Sequence, residues 1–347
     1  MDFGWVSACP PGEFEAHAAL LLSFTELLLC APHAVVELVR GLTGRISLLA
    51  IVSSEEQRQH AIVMLTDWGV PAHRIHFMYM PVGTWTRDFG PVFVRWCDGN
   101  IVALDAEYSM QDRGNENIVP TALAYLLKVP RRQVPLVVDG GNLLGNGRGV
   151  CLFTSALLEI NRFCGREYTL PMVESILAEN YGFTQPVVLE PLLGYRTLHV
   201  DMMATFVRAD TIVVGACDPA ADPASAAVLN RNADRLSRVV TRGRPLRVIR
   251  IPMPTYDGTA CRTYTNVIYA NGKLLVPHYP EVDRGIEREV LATYGHLLPG
   301  WEISQVDCSE MIRRGGGLRC LSTHIPWLHE RFWELDEIPG KPEMVGA

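Results

Sequence analysis

The stretch Arg313-Arg314-Gly315-Gly316-Gly317-Leu318-Arg319-Cys320-Leu321-Ser322-Thr323-His324 places three consecutive glycines just ahead of a cysteine. Residues without side chains let a ligand pack directly on backbone. Nearby arginines can help hold a thiolate. The plainer alternative is a flexible loop before a core strand that happens to carry one of nine cysteines. Working outward, four earlier segments also set reactive or charged residues beside glycines or apolar runs.

The nearest upstream is Tyr264-Thr265-Asn266, leading into an apolar run, where Asn266 reads first as a strand cap and second as a site donor. Before it, Leu198-His199-Val200-Asp201-Met202 has strand alternation, which predicts His199 and Asp201 on one face about 6.5–7 Å apart. A buried carboxylate in so apolar a run needs a partner. Val138-Asp139-Gly140-Gly141-Asn142 is either an ordinary turn or an acid ahead of a close backbone approach. Trp85-Thr86-Arg87-Asp88-Phe89-Gly90-Pro91 predicts Asp88 at a strand end, broken off by Gly-Pro. There, a buried Arg87–Asp88 pair competes with a ligand-facing acid.

Together and in order, these segments resemble the agmatine deiminase and bacterial-type peptidylarginine deiminase family of guanidine-modifying enzymes. Pro10-Pro11-Gly12-Glu13-Phe14-Glu15-Ala16-His17 is similar to that family's opening region, so the resemblance spans nearly the whole chain. It implies an α/β pentein propeller of five ββαβ modules around a pseudo-fivefold axis, with the active site in the central channel and neither metal nor organic cofactor. It also implies Cys320 as nucleophile, His199 as general acid and base, and Asp88 and Asp201 as the carboxylates that bind a guanidinium. Trp85, Arg87, Asp139, Asn266, Gly316, Gly317 and Arg319 complete the implied substrate-binding set. Two departures bear on the substrate. Agmatine-specific members carry G-G-G-N-I-H-C, whereas this chain has Gly317-Leu318-Arg319-Cys320, closer to arginine deiminases. Their E-G-G-x-x-x-x-D-G also lacks its later Asp in Asp139-Gly140-Gly141-Asn142-Leu143-Leu144-Gly145-Asn146-Gly147.

The chemistry suits these residue types. A guanidinium is planar and cationic, and two carboxylates can each accept a forked pair of its hydrogen bonds. Its carbon is a poor electrophile, which calls for a thiolate. A free cysteine with a pKa of about 8.5 is little ionised at neutral pH, and a bound cation would favour the thiolate. His199 would protonate the departing nitrogen and then activate water. Loss of ammonia would give a ureido product. An amidinotransferase, in which an amine accepts the amidino group, would use nearly the same residues. A non-catalytic guanidine or polyamine binder would need neither His199 nor Cys320. A cysteine peptidase would have no evident use for several acids.

Composition narrows the field further. The chain has 347 residues, is 48% hydrophobic and 20% charged, and carries a net charge of -7. That charge argues against nucleic-acid binding, which needs a basic surface. The expected partner is a small-molecule or peptide guanidine, with self-association possible. The cysteines show no C-x-x-C pair or zinc spacing, and all but Cys320 read as reduced, buried thiols in a cytoplasmic protein. The apolar stretch from Ala18 to Val39 contains Glu26, His33 and Glu37, which excludes a membrane span. Strands are predicted over 45–52, 74–79, 91–94, 101–104, 134–138, 187–189, 211–214, 246–251, 267–269 and 274–276. Helices are predicted over 54–67, 117–127, 170–180, 224–240 and 281–294. Cys97-Asp98-Gly99-Asn100 and Tyr269-Ala270-Asn271-Gly272 read as hairpin turns. No linker divides the chain, which predicts one catalytic domain over 1–347 with a loose tail after about 336.

Overall fold

Five apolar runs of five to seven residues form the middle strands of five separate sheets: Ala19–Ser23, Ile101–Glu107, Val150–Thr154, Thr211–Ala216 and Lys273–His278. Near-continuous burial along a strand is what a sheet covered on both faces demands. The computed structural model describes residues 9–72, 75–96, 99–110, 114–192, 194 and 196–328. The expected loose tail, Cys97 and Asp98 of the first hairpin turn, and Arg74 at the start of a predicted strand lie outside these.

All five sheets follow one plan. Each middle strand pairs antiparallel with one short strand and parallel with another, so tight turns serve the first pairing and helical crossovers the second. Val92–Arg95, Ile101–Glu107 and Arg131–Val137 form one such sheet, crossed over by the helix Val119–Leu127. Leu144–Gly145, Val150–Thr154 and Gln185–Leu189 form the next, with helices Ala156–Phe163 and Leu170–Tyr181. Ala204–Arg208, Thr211–Ala216 and Arg247–Pro252 follow, with the helix Pro223–Leu236. Ile268–Tyr269, Lys273–His278 and Glu302–Asp307 come after that, with the helix Arg284–Leu297. In the remaining sheet, Ala19–Ser23 takes its antiparallel partner from the far end of the chain, Ser322–Ile325, in the register Leu20↔His324. It pairs in parallel with Ser47–Val52, which is followed by a fourth strand, Ile75–Tyr79.

Burial falls across each sheet. The antiparallel strand is mostly buried, while outer parallel strands such as Gln185–Leu189 and Glu302–Asp307 are largely half-exposed. The crossover helices cover part of that outer edge on the neighbouring sheet. Pro32–Leu42 packs on Glu302–Asp307, Arg284–Leu297 on Arg247–Pro252, and Leu170–Tyr181 on Arg131–Val137. One apolar cluster accordingly joins Leu20, Val39 and Leu48 to Leu275, Tyr294 and Val306.

The ten predicted strands and five predicted helices all occur, with end shifts of a few residues. Ser54 caps its helix by accepting from the Gln57 N–H at 3.3 Å. Asn271 and Gly272 both take positive φ, 47° and 88°, as a two-residue hairpin turn requires. Ala19–Ser23, Val150–Thr154, Ala204–Arg208, Glu302–Asp307 and Ser322–Ile325 are strands beyond those predicted. The eight described cysteines are free, four buried and four half-buried, so burial of thiols is less complete than expected. No described helix is long and apolar enough to cross a membrane.

A single helical turn precedes the antiparallel strand in four sheets: Thr86–Phe89, Gly140–Asn142, Val200–Met202 and Arg319–Leu321. In the fifth, a bend over 264–266 takes this place. Thr86–Phe89 packs on both Gly140–Asn142 and Arg319–Leu321, and Gly140–Asn142 packs on Val200–Met202. Two expectations are corrected here. His199 and Asp201 do not alternate along a strand: His199 is the extended cap of the turn containing Asp201. Asp88 lies within a helical turn instead of at a strand end.

Candidate active site

The five segments quoted first from sequence each supply one of these turns. Neighbouring residues within a turn point to opposite sides. Asp88, Asp139, His199, Gly316 and Cys320 line a cleft of about 480 Å³, together with Trp85, Ser109 and Tyr108. Their chain neighbours Arg87, Gly140 and Arg319 line a small cavity of about 60 Å³ with Glu13, His17 and His324. Arg87, Asn266, Gly317, Arg319 and Asp201 do not line the larger cleft.

His199 is the hub of the cleft. Its Nε2 lies 3.2 Å from Asp139 Oδ2, and its Nδ1 lies 3.6 Å from Asp88 Oδ1. Asp139 is held in turn by the Ser109 backbone N–H at 3.0 Å and the Ser109 hydroxyl at 2.7 Å. The Gly141 N–H donates to Asp88 Oδ1 at 3.1 Å. Gly141 fits because a β-carbon there would sit 2.5 Å from His199 Nδ1 and 2.7 Å from Asp88 Oδ1. Leu198, immediately before the histidine, adopts φ 55°, a conformation uncommon outside glycine and one that strains backbone at functional positions.

Cys320 is 2% exposed. Its Sγ lies 3.5 Å from Asn266 Nδ2 and 4.0 Å from Asp201 Oδ2. Asn266 Oδ1 accepts from the backbone N–H of Arg319 at 2.8 Å and of Cys320 at 3.4 Å. Asn266 therefore clamps the Cys320 turn to its own, and the strand-cap expectation is corrected: the side chain is spent on a distant segment, not on its own strand. Gly316 lies against the Trp85 ring and Gly317 against the Asn266 side chain.

Asp201 is fully buried and accepts from Arg319 Nη1 at 2.7 Å. Its other oxygen, Oδ1, has no hydrogen-bond partner among the described residues. Arg319 also donates to Glu13 at 2.9–3.1 Å and to the Leu143 carbonyl at 2.9 Å. Arg87 sits 3.2 Å from Glu13 and 3.1 Å from His324 Nδ1. Of the two alternatives for this segment, the Arg87–Asp88 pair does not form, since Arg87 pairs with Glu13 and Asp88 faces the cleft. The expected help from arginines to a thiolate is corrected too: Arg319 is committed to two carboxylates.

The electrostatics follow from this geometry. Burial and the nearby carboxylates Asp201 and Asp88 push the Cys320 thiol well above its ordinary value. Burial would lower the His199 pKa, but the carboxylates of Asp88, Asp139 and Asp201 outweigh it and lift it to about 9. Burial raises Asp88 to about 7; His199 pulls against this, while Asp139 and Asp201 add to it. Perturbed groups crowded into one cleft are the mark of a catalytic site. Sequence alone did not single out Ser109, Gly141 as a contact point, or Glu13 as the anchor of two arginines. For Glu13, the signal was an acid in Pro10–His17, the one early segment that resembled a family pattern.

Solved structures share this fold. The agmatine deiminase of C. jejuni is 22% identical over 95% of this chain and 99% of its own, with a TM-score of 0.78. That of Enterococcus faecalis is 19% identical over 92% and 96%, with a TM-score of 0.79. A relative from Latilactobacillus sakei, named provisionally as an agmatine deiminase, is 26% identical over 91% of this chain and 95% of its own. The chain belongs to the Porphyromonas-type peptidyl-arginine deiminase family, whose model matches residues 10–326. It is a deiminase-type hydrolase acting on carbon–nitrogen bonds.

Proposed function

We propose that this protein hydrolyses a guanidinium group, releasing ammonia and leaving a ureido product, through a covalent amidino adduct on Cys320. The observation that carries the proposal is the convergence of Cys320, His199, Asp88 and Asp139 on one cleft, delivered by equivalent turns of the repeated sheets. The same repetition supports five ββαβ units arranged about a central axis as one catalytic domain.

In this mechanism Asp88 on the cleft wall receives guanidinium N–H groups, fixing the plane and neutralising the charge. Asp201 does not line the cleft but lies 4.0 Å behind the Cys320 sulfur with Oδ1 unpartnered, and is the second acceptor, reached as the guanidinium seats against that sulfur. The cation opposes the two aspartates that hold the Cys320 thiol protonated, so with substrate in place the thiol releases its proton to the water of the cleft and the thiolate forms. Attack on the carbon gives a tetrahedral adduct, and His199, protonated at neutral pH, donates a proton to the departing ammonia. Water then adds to the adduct with His199 as base, and the Cys320 thiolate leaves. Asp139 orients the imidazole through Nε2.

The direct test incubates the protein with agmatine, arginine, an arginine peptide and simple guanidines, following ammonia and ureido product by mass spectrometry. Release from any one of them supports the proposal, and silence across the panel rejects it. The pH dependence supplies a second test. Activity needs Asp88 ionised, lost as pH falls through about 7, and His199 protonated, lost as pH rises through about 9. The expected kcat/KM profile is a bell with its maximum between those values. A profile still rising at pH 10 would remove His199 from the role of proton donor.

A further inference from the structure

Four non-glycine residues among those described take positive φ. Lys128 does so as the left-handed cap ending its helix, and Arg242 and Asn271 do so in hairpin turns between short strands. Leu198, at 55°, serves neither purpose and directly precedes His199. A bulky residue is strained in that region and stays there only where its surroundings hold it. Two side chains supply the hold. The Thr154 hydroxyl donates to the Leu198 carbonyl at 2.8 Å, and Asn142 Oδ1 accepts from the Val200 N–H at 3.2 Å. That oxygen also accepts from the Thr154 N–H at 3.0 Å, which ties the two residues into one clamp. Thr154 is fully buried and Asn142 is 5% exposed, so neither bond competes with bulk water.

The two pinned groups belong to the peptide planes on either side of His199. With both planes held, φ and ψ of His199 stay at -79° and 148°. That fixes the direction in which the imidazole leaves the backbone. The turn carrying Asn142 is capped by Asp139, whose carboxylate meets the imidazole at Nε2. One sheet therefore holds His199 at both its backbone and its side chain. Neither Thr154 nor Asn142 lines the cleft, so neither is placed to touch substrate. We propose that Asn142 and Thr154 are positioning residues for the reaction, keeping His199 within reach of Asp88 and Asp139 by holding the strained backbone at Leu198. This rests on the deiminase reading above and adds to it the support behind the cleft. A displacement of about 1 Å at a reacting group costs on the order of a hundredfold in rate.

The test compares Thr154→Val with Thr154→Ser. Valine keeps the shape and removes the hydroxyl, whereas serine keeps the hydroxyl. On whichever guanidine releases ammonia, Thr154→Val is expected to lower kcat by about ten- to a hundredfold with little change in KM, because Asp88, not the clamp, receives the substrate. The alkaline limb of kcat/KM, set by His199 at about 9, should move down as the imidazole leaves Asp88, Asp139 and Asp201. Thr154→Ser should keep both near wild type. A Thr154→Val protein with unchanged kcat and alkaline limb overturns the proposal even if it melts lower, because the clamp then serves stability alone. Equal losses in the two variants also overturn it, since the hydroxyl would not be the cause. Should Thr154→Val fail to fold, Asn142→Ala frees the other peptide plane and is expected to move kcat and the alkaline limb in the same direction; if neither moves, the clamp is rejected. If no compound releases ammonia, the deiminase reading fails separately. An NMR titration of the His199 imidazole, assigned against His199→Gln, then decides the point. A pKa lower in Thr154→Val than in Thr154→Ser upholds the positioning, and equal values overturn it.

Discussion

Replacing Cys320 with alanine is expected to abolish turnover, by on the order of 10⁴-fold or more, while the protein remains folded. Cys320 is the only described cysteine lining the cleft that also holds His199 and Asp88. No other described thiol is placed to substitute: Cys9 and Cys261 line different hollows, and Cys151 and Cys308 are buried outside the cleft. The fold should tolerate the change because Asn266 Oδ1 grips the backbone N–H groups of Arg319 and Cys320, not the sulfur alone. Removing one sulfur leaves only a small void, so thermal unfolding should move by no more than about 3 °C. Ammonia release and a circular-dichroism melt on the same preparation check both halves. Turnover near wild type would end the case for a covalent adduct. Loss of turnover with a collapsed melt would make the cysteine structural.

Local physics in this chain was readable in advance, and long-range closure was not. The Asn271-Gly272 turn, the Ser54 cap and three of the five middle strands, Ile101–Glu107, Thr211–Ala216 and Lys273–His278, each follow from a few adjacent residues. Ser322–Ile325 is a short strand with a polar sequence, and it exists because Ala19–Ser23, some three hundred residues away, offers it a ladder. Glu302–Asp307 escaped for a related reason: at a half-covered edge, its polar alternation carries little signal. At the site, the residue types were legible because a cation-binding, thiol-using chemistry restricts them sharply. Their pairings were not. Strand alternation placed His199 and Asp201 together, yet the helical turn sends His199 to Asp88 and Asp139 and Asp201 to Arg319. Asp139 could be read as a spare substrate ligand, since nothing in sequence brings Ser109 and His199 to its two oxygens.

The Arg319→Met substitution is expected to cost about 3–5 kcal/mol of stability, the largest effect on folding among changes at the site. Arg319 is 2% exposed and bridges Asp201, itself fully buried, to Glu13, with further bonds to the carbonyls of Leu143 and Gly141. Methionine fills much of the same volume but leaves two carboxylates without their main cation, and Arg87 reaches only Glu13. Melting should fall by roughly 5–10 °C. Arg319→Lys should lie between, since it keeps the charge but loses the fork that spans both acids. The pH dependence separates an ionic cause from lost packing. Burial works against ionised Glu13, but Arg319 and Arg87 overcome it and hold its pKa well below the usual carboxylate range. A depressed folded-state pKa contributes stability that is present above the unfolded value, near 4.3, and is lost as pH falls below it. The gap between wild type and Arg319→Met should therefore narrow as pH drops below about 4. A gap that stays constant down to pH 3 would show that the arginine acts by packing alone. Activity should fall with stability in a telling way: Asp201, released from its anchor beside Cys320, should weaken substrate capture, so KM rises more than kcat falls.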